Sequence, residues 1–271
     1  MKKIFRKRNI LIVGVFTLCV SLLLYTFLDG FGGIDTFRTT QDKLPDSVEV
    51  DLTGLRQLQA SGGSVPRFSD LSKRLSHIKE KKIIFDVMNE FHGYVNGVPS
   101  NFLGYHLDKP GPRHIPRRLL ITGTTKLCPE LLVSEEDEAK KYNFGYKNVS
   151  IGSKFMAPDA NVDEFVNFFD TLDENTWVHF HCVQGKGRTS MALIMFDTMK
   201  NAPRVALEDI MKRQYLLGSV NLYDTAIWKK ASYTTKMLED RLNFITDFYR
   251  FICQRKAGGI QLWSDWHKQQ S

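Results

Sequence analysis

The sequence contains little cysteine, with four residues in a chain of 271. Four cysteines are too few to hold together a small disulfide-rich scaffold. The 19 glycines and nine prolines are likewise too few for collagen or for a low-complexity chain. Apolar residues make up 42% and charged residues 25% of the chain, which excludes intrinsic disorder as the default state. The composition therefore indicates a globular protein of one large domain, with or without a small elaboration.

Acidic residues are absent before Asp29, and this absence explains most of the formal net charge of +7. Five cations precede it without a counter-charge: Lys2, Lys3, Arg6, Lys7 and Arg8. Without them, 32 of the 37 basic residues remain against 30 acidic ones, so the body of the chain is near neutral. The overall charge therefore does not indicate binding to nucleic acid.

Charged residues are also absent from residues 10–28, a stretch of 19 mostly apolar residues. At ~1.5 Å per residue, a helix of this length crosses most of a ~30 Å hydrocarbon layer. An uncleaved signal anchor and a cleaved signal peptide both stay open. Because cations are retained on the cytoplasmic side, either one predicts a body outside the cytoplasmic membrane, periplasmic or secreted. We divide the remainder into a cytoplasmic tip, a connector and one domain, at residues 1–9, 29–45 and 46–271.

The three cysteines of the body, Cys128, Cys182 and Cys253, form an odd set. In an oxidising compartment, at least one of them is free or is paired with another molecule. A disulfide between Cys128 and Cys253 and a pair of buried thiols are both compatible with the sequence.

Short apolar runs alternate with amphipathic stretches in the body of the chain. The runs predict strands at residues 82–87, 118–122, 146–151 and 176–182. Apolar residues spaced three and four apart predict helices at residues 161–172, 188–200, 207–217 and 236–255. Residues 96–117, rich in glycine, proline and polar side chains, predict a long loop or a small subdomain. The alternation favours an α/β fold with a parallel-type central sheet flanked by helices.

The segment that points to chemistry is the passage from a strand to a helix after His181. Its residues are Cys182, Val183, Gln184, Gly185, Lys186, Gly187 and Arg188. A short glycine-containing loop can turn its backbone N–H groups inwards and form a nest for an anion. The start of the following helix adds partial positive charge. Arg188 can hold two phosphate oxygens with its forked guanidinium group.

Cys182 lies in the same electrostatic field as the expected phosphate. A thiol beside a helix N-terminus and cations has a lowered pKa and is a thiolate at neutral pH. A thiolate at the floor of a phosphate cradle is a nucleophile aimed at phosphorus, and Thr189 can donate a hydrogen bond to its sulfur. We therefore predict a phosphatase that uses no metal or other cofactor, because the cradle supplies the charge stabilisation.

The sequence resembles the cysteine phosphatases and, among them, the bacterial protein-tyrosine-phosphatase-like (PTP-like) inositol polyphosphatases, or PTP-like phytases. The resemblance covers roughly residues 36–268. It rests on four blocks, FRTT at 37–40, LQASGGSVPRFS at 58–69, DVMNEFHGYVNGVP at 86–99 and HCVQGKGRTS at 181–190, and on the shorter matches Val162-Asp163-x-Phe165, Arg213-Gln214 and Phe248-Tyr249-Arg250. It implies a cysteine-phosphatase fold with a small accessory β-rich subdomain and a cationic pocket for a phosphorylated inositol. The alternative substrates are a phosphotyrosine protein and a phosphoinositide.

The resemblance also implies roles for individual residues. It makes Cys182 the nucleophile, Arg188 the phosphate clamp and Thr189 a partner of the sulfur. The residues expected to contact the substrate are Arg38, Asp86, Lys154, Lys186 and Arg241, together with loop residues 183–187.

One position departs from the family pattern. The family places an Asp-His pair in a loop about ten residues before the helix that we expect at residues 161–172, and Ser153 and Lys154 stand there. Serine cannot protonate the leaving oxygen, and general acid catalysis typically contributes ~10²–10⁴-fold. Asp159 is the candidate replacement, because Asp163 is expected to belong to the helix. The alternative to an enzyme is a phosphate-ligand binder that has lost this acid.

Overall fold

A computed structural model describes residues 12–21, 36–45, 47, 49–152, 154–226 and 233–270. The chain divides into two compact units. The larger unit comprises Thr36–Phe91 and Glu135–Ser271, and the smaller comprises Met1–Asp35 and His92–Ser134.

The secondary structure of the described residues alternates between strands and helices. The strands are β1 (Arg38–Thr39), β2 (Ala60–Ser64), β3 (Lys81–Asp86), β4 (Tyr94–Val95), β5 (Val98–Pro99), β6 (Phe144–Asn148) and β7 (Thr176–Cys182). The α-helices are α1 (Phe68–Arg74), α2 (Ser100–Leu103), α3 (His114–Thr122), α4 (Glu135–Lys140), α5 (Asp159–Thr171), α6 (Gly187–Asn201), α7 (Leu207–Leu216), α8 (Thr235–Lys256) and α9 (Trp263–Lys268). The four predicted helices correspond to α5, α6, α7 and α8, and three of the four predicted strands correspond to β3, β6 and β7.

A mixed sheet with the strand order β1–β2–β7–β3–β6 forms the centre of the larger unit. Its β2, β7, β3 and β6 run parallel, whereas β1 runs antiparallel to β2 at the edge. The predicted α/β class is confirmed. The expectation of a parallel-type sheet is corrected to a mixed sheet, because this short edge strand runs in the opposite direction.

One face of this sheet is aromatic and is covered by α5 and α6. Phe85 of β3 packs against Phe169 of α5 with ring centroids 4.8 Å apart. Phe180 of β7 packs against Phe196 of α6 with centroids 5.6 Å apart. Helices α7 and α8 pack against α6 in turn, which explains why α6 is buried over nearly its whole length.

Strand β2 has no strand signal in its sequence, ASGGS, because glycine is depleted in strands. Its tertiary role explains the composition. A Cβ atom on Gly62 would lie 2.8 Å from Leu193 Cδ1 and 2.9 Å from Thr189 Cγ2. The glycine therefore lets α6 approach the sheet closely, and this approach brings Thr189 beside β2.

The smaller unit contains the short antiparallel pair β4–β5 and helices α2 and α3. The strand predicted at residues 118–122 is wrong, since these residues complete α3. A short apolar run cannot by itself distinguish a strand from a helix. Arg117 of α3 stacks over the Phe102 ring at 4.4 Å, and Arg118 donates to the Leu103 carbonyl oxygen. The described part of this unit has more helix than strand, which corrects the expected β-rich subdomain.

The N-terminal segment is helical at residues 12–21, and the rest of the predicted span at 10–28 lies outside the described residues. No helix among the described residues is long and apolar enough to cross a membrane. The span therefore stays a prediction. Cys128 and Cys253 are free thiols, so the disulfide considered between them is not formed.

Candidate active site

The site lies at the carboxyl end of β7, between β2 and β3. Val65 N–H donates to the Cys182 carbonyl oxygen at 2.8 Å, and Val87 N–H donates to the His181 carbonyl oxygen at 3.1 Å. The backbone that carries the nucleophile is thus held from both neighbouring strands. Such carboxyl edges of parallel strands are the usual place for ligands in α/β folds.

The loop after Cys182 turns sharply at Gly185, whose φ is +67°. A Cβ atom at this position would lie 2.3 Å from the Gly63 carbonyl carbon and 2.4 Å from Ser64 N. Glycine is therefore required for two reasons, its left-handed backbone and the close approach of β2. This turn brings the loop back towards α6.

The thiol of Cys182 is almost completely buried, with 3% of the residue exposed. Thr189 Oγ1 donates a hydrogen bond to the sulfur at 3.1 Å. Burial by itself would raise the pKa of Cys182, but the charge of Arg188 and hydrogen bonds from Thr189 and from the Gln184 backbone lower it. The thiolate is therefore favoured below the ordinary pKa of a cysteine, as a phosphorus nucleophile requires.

Arg188 follows the loop on the first turn of α6 and is paired with Glu90. Its Nη1 also lies 3.4 Å from Asn89 Oδ1. Burial lowers the pKa of Arg188, and the hydrogen bond and charge of Glu90 outweigh this effect and raise it. Sequence reasoning missed Glu90 as a site residue, although it lies in the block at 86–99 that supported the resemblance.

Arg38 is buried and contacts the loop that follows Cys182. Its Nη1 donates to the Gly185 carbonyl oxygen at 2.8 Å, and Nε and Nη2 donate to Ser219 and Ser190. Burial lowers the pKa of Arg38 to about 10. With these donors engaged by protein atoms, Arg38 supports the loop, and its contact with a substrate phosphate stays a prediction.

Asp86 was expected to line the pocket, but it is fully buried at the end of β3. Its carboxylate accepts hydrogen bonds from Tyr146 Oη at 2.9 Å, Asn148 Nδ2 at 2.7 Å and Met88 N at 2.9 Å. The structure therefore places Asp86 inside a buried polar network. Its carboxylate oxygens accept hydrogen bonds from these three residues instead of facing the surface.

Arg241 lies beside the start of α6, and its contact with the substrate stays a prediction. A Cβ atom on Gly187 would be 3.0 Å from Arg241 Nη1, and the Arg241 guanidinium stacks over the Tyr233 ring at 4.3 Å. Lys186 is exposed on the loop, and Lys154 is also exposed. Of the other loop residues, Val183 is half-buried and Gln184 is exposed.

Asp159, the predicted general acid, is engaged by side chains of α9. Asp159 Oδ1 accepts hydrogen bonds from Trp263 Nε1 at 2.8 Å and from His267 Nδ1 at 2.9 Å. Asp163 Oδ1 accepts one from the Trp263 backbone N–H at 2.6 Å. Both carboxylates thus connect α5 to α9, and the role of Asp159 as the acid stays a prediction. Ser153 lies outside the described residues.

Asp86, Glu135 and His181 form a buried cluster beneath the nucleophile. Among the described residues, they are the side chains whose spacing fits a metal ion, with one ligand atom from each within 4.8 Å of the others. The three hydrogen bonds that Asp86 accepts and the contact of His181 with Glu135 at 3.2 Å make the cluster a protein-filled polar network.

A buried cysteine at the end of a strand, a glycine loop and an arginine on the following helix form the arrangement expected of the cysteine phosphatases, here on an α/β fold. A family model for PTP-like phytases matches residues 120–200 of the chain, and the description of this family reads "Inositol hexakisphosphate". The chain is 24% identical to effector protein hopD2 of Pseudomonas syringae pv. tomato, over 87% of this chain and 57% of that protein.

Two solved structures share the fold. A PTP-like phytase from Bdellovibrio bacteriovorus is 25% identical, with a TM-score of 0.61, 85% of this chain covered and 88% of that chain. The PTP-like myo-inositol phosphatase of Mitsuokella multacida, solved with myo-inositol-(1,3,4,5)-tetrakisphosphate, is 23% identical, with a TM-score of 0.68 and coverage of 86% and 45%. The chain thus spans about half the length of that protein and of hopD2. The predicted resemblance to the PTP-like phytase family is confirmed.

Proposed function

We propose that this chain is a cysteine-dependent phosphatase that hydrolyses phosphomonoesters, with inositol polyphosphates as its substrate class. The observation that carries the proposal is the buried Cys182 sulfur, which receives the Thr189 hydroxyl at 3.1 Å and has a pKa lowered by Arg188 against the effect of burial. The family model and the inositol phosphate bound by the Mitsuokella protein support the choice of substrate class.

The reaction proceeds in two displacements at phosphorus. The Cys182 thiolate attacks, an S–P bond forms, and the bond from phosphorus to the leaving oxygen breaks. Arg188 and the loop amides stabilise the charge on the remaining oxygens. Water then attacks the phosphocysteine, which releases inorganic phosphate and regenerates the thiolate. Thr189 stabilises that thiolate as the leaving group of the second step.

The experiment is phosphate release by the full chain from inositol hexakisphosphate and from an aryl phosphate, with Cys182→Ser as the control. Phosphate release from both compounds that depends on Cys182 supports the proposal. Release from the aryl phosphate alone, with no binding of inositol hexakisphosphate, supports a phosphotyrosine protein as substrate. Binding of inositol hexakisphosphate with no release from either compound identifies a non-catalytic binder.

We propose that this chain is deficient in protonating the leaving oxygen of its substrate. Serine occupies the position of the family acid, and Asp159 is engaged by Trp263 and His267. Without a general acid, an enzyme of this type prefers esters whose leaving group is already a stable anion. This feature favours the binder as the second candidate function.

We also propose that the domain works outside the cytoplasmic membrane, through the apolar residues 10–28 and the cations that precede them. The test is fractionation of cells that express the full chain, combined with external protease. Degradation of the domain in intact cells, or its recovery from the periplasm or medium, supports this location. Protection until lysis contradicts it.

A further inference from the structure

We propose that Glu135 is a positioning residue for the nucleophile Cys182 and acts through the ring of His181. The inference deepens the proposed function and rests on it, since it concerns the same loop. Glu135 is the first residue of α4 and lies outside the Cys-x5-Arg segment.

His181 and Cys182 are consecutive on β7, so their side chains point to opposite faces of the sheet. Cys182 faces the core that includes α6, whereas His181 joins the polar cluster on the other face. The His181 Nε2 atom lies 3.2 Å from Glu135 Oε1 and 3.7 Å from Asp86 Oδ1, and both partners are buried. A buried carboxylate is costly without a partner, so the Glu135–His181 contact is maintained.

Asp86, the second carboxylate that faces His181 Nε2, is itself held in place. Asp86 accepts hydrogen bonds from Tyr146 and Asn148 on β6. The His181 carbonyl oxygen receives the Val87 N–H. Because Asp86 is fixed in this way and lies 3.7 Å from Nε2, Glu135 at 3.2 Å is the nearer of the two carboxylates that face this ring nitrogen.

A change in the position of the His181 ring affects the Cys182 sulfur, because the two residues are joined by one peptide unit. Movement of the His181 ring shifts the backbone at the end of β7, from which the Cys182 sulfur is directed towards Thr189 and Arg188. These two residues lower the pKa of Cys182. A displaced sulfur loses part of this stabilisation, so the pKa of Cys182 rises when Glu135 no longer holds the ring.

The direction of this shift distinguishes positioning from simple electrostatics. Removing a negative charge near a thiolate would by itself stabilise the thiolate and lower its pKa. The charged and titratable groups that act on the cluster are Asp86 on β3, Tyr146 on β6, His179 on β7 and Glu136 on α4, with Arg38 of β1 and Arg74 of α1 acting on His179. All of them stay in place when Glu135 is changed.

The test compares Glu135→Gln with Glu138→Gln in the full chain. Glu138 is the matched control, because it is buried on the same helix but pairs with Lys141 at 2.6 Å. Iodoacetamide alkylation of Cys182 is followed against pH by mass spectrometry, and kcat and KM are measured on an aryl phosphate. We expect Glu135→Gln to raise the apparent pKa of Cys182 by about one unit, which is a roughly tenfold loss of alkylation at pH values well below both pKa values. We expect kcat to fall with KM nearly unchanged, and the control to match the wild type.

An unchanged or lowered pKa of Cys182 in Glu135→Gln would overturn the proposal, as would an equal shift in Glu138→Gln. His181→Asn provides a second variant that does not depend on the folding of the first. The shift in the apparent pKa of Cys182 should be the same in His181→Asn as in the double variant Glu135→Gln, His181→Asn. The reason is that both single changes remove the same Glu135–His181 contact. Additive shifts would contradict the proposal. The alkylation profile reports on Cys182 even if no phosphate ester is hydrolysed, so the failure of the proposed function is a separate result.

Discussion

Two loops that follow parallel strands of the sheet differ in how their polar groups are used. After β7, the Thr189 hydroxyl, the Gln184 amide and the Arg188 charge all act on the Cys182 sulfur. After β6, Lys154 and Phe155 are exposed, and Phe155 has 76% of its surface accessible. The first loop forms a nucleophile, whereas the described part of the second presents no acid. Attack on phosphorus and protonation of the leaving group are separate requirements, and the proposed function has structural support for the first.

The largest expected effect is on the first loop itself. Cys182→Ser should lower turnover of every substrate by at least about 10⁴-fold, because the phosphocysteine can no longer form. Affinity for inositol hexakisphosphate should be retained, since the loop amides and Arg188 stay in place. Steady-state kinetics and calorimetric titration of the purified variant measure both quantities. Residual turnover above that of a buffer control would argue against a covalent intermediate.

Arg188→Lys should lower kcat/KM by about 10²–10³-fold, the cost of removing a major donor to the transition state. Lysine is a point charge and cannot reproduce the two-pronged contact of a guanidinium group. Kinetics on an aryl phosphate check this expectation, with Lys186→Gln as the control for loss of an exposed loop charge. Near-wild-type kinetics for Arg188→Lys would show that the clamp is elsewhere.

The second loop can be tested by restoring what it lacks. Ser153→Asp should raise hydrolysis of alkyl phosphates by about tenfold, a fraction of the ~10²–10⁴-fold that a well-placed general acid contributes. Aryl phosphates should change little, because phenolate leaves without a proton. Rates over a series of leaving groups of different pKa measure the effect, and Ser153→Asn is the matched control without an acid. A wild-type rate that does not depend on the pKa of the leaving group would mean that an acid already acts.

The smallest effect is expected at Asp159. Asp159→Asn weakens its contacts with Trp263 and His267, and should lower the free energy of unfolding by about 0.5–1.5 kcal/mol. Activity on both substrate types should stay within about twofold of the wild type. Urea denaturation and steady-state kinetics give the two values. Selective loss of alkyl phosphate hydrolysis would show that Asp159 serves as the acid after all.

Elements with a local signal could be predicted from the sequence, and elements held by distant partners could not. The α5 and α6 helices follow from apolar residues spaced by three and four, a pattern contained in one stretch of chain. Strand β2 could not be predicted, because its glycines are explained by the approach of α6 and not by strand propensity. The apolar run at residues 118–122 predicts a strand, yet it forms part of α3. Arg117 and Arg118 of this helix contact Phe102 and Leu103 of α2.

The sequence by itself determined the arrangement around the proposed nucleophile, because Cys182, its glycine loop and Arg188 lie within seven residues and their geometry follows from the turn between a strand and a helix. Tertiary structure decided which other polar residues serve the loop. Arg38 supports Gly185 from a distant strand, Glu90 pairs with Arg188, and Asp86 belongs to a buried network. The physical reason is that a buried polar atom must find a partner, and its partner depends on which distant segments the packed sheet and helices bring beside it.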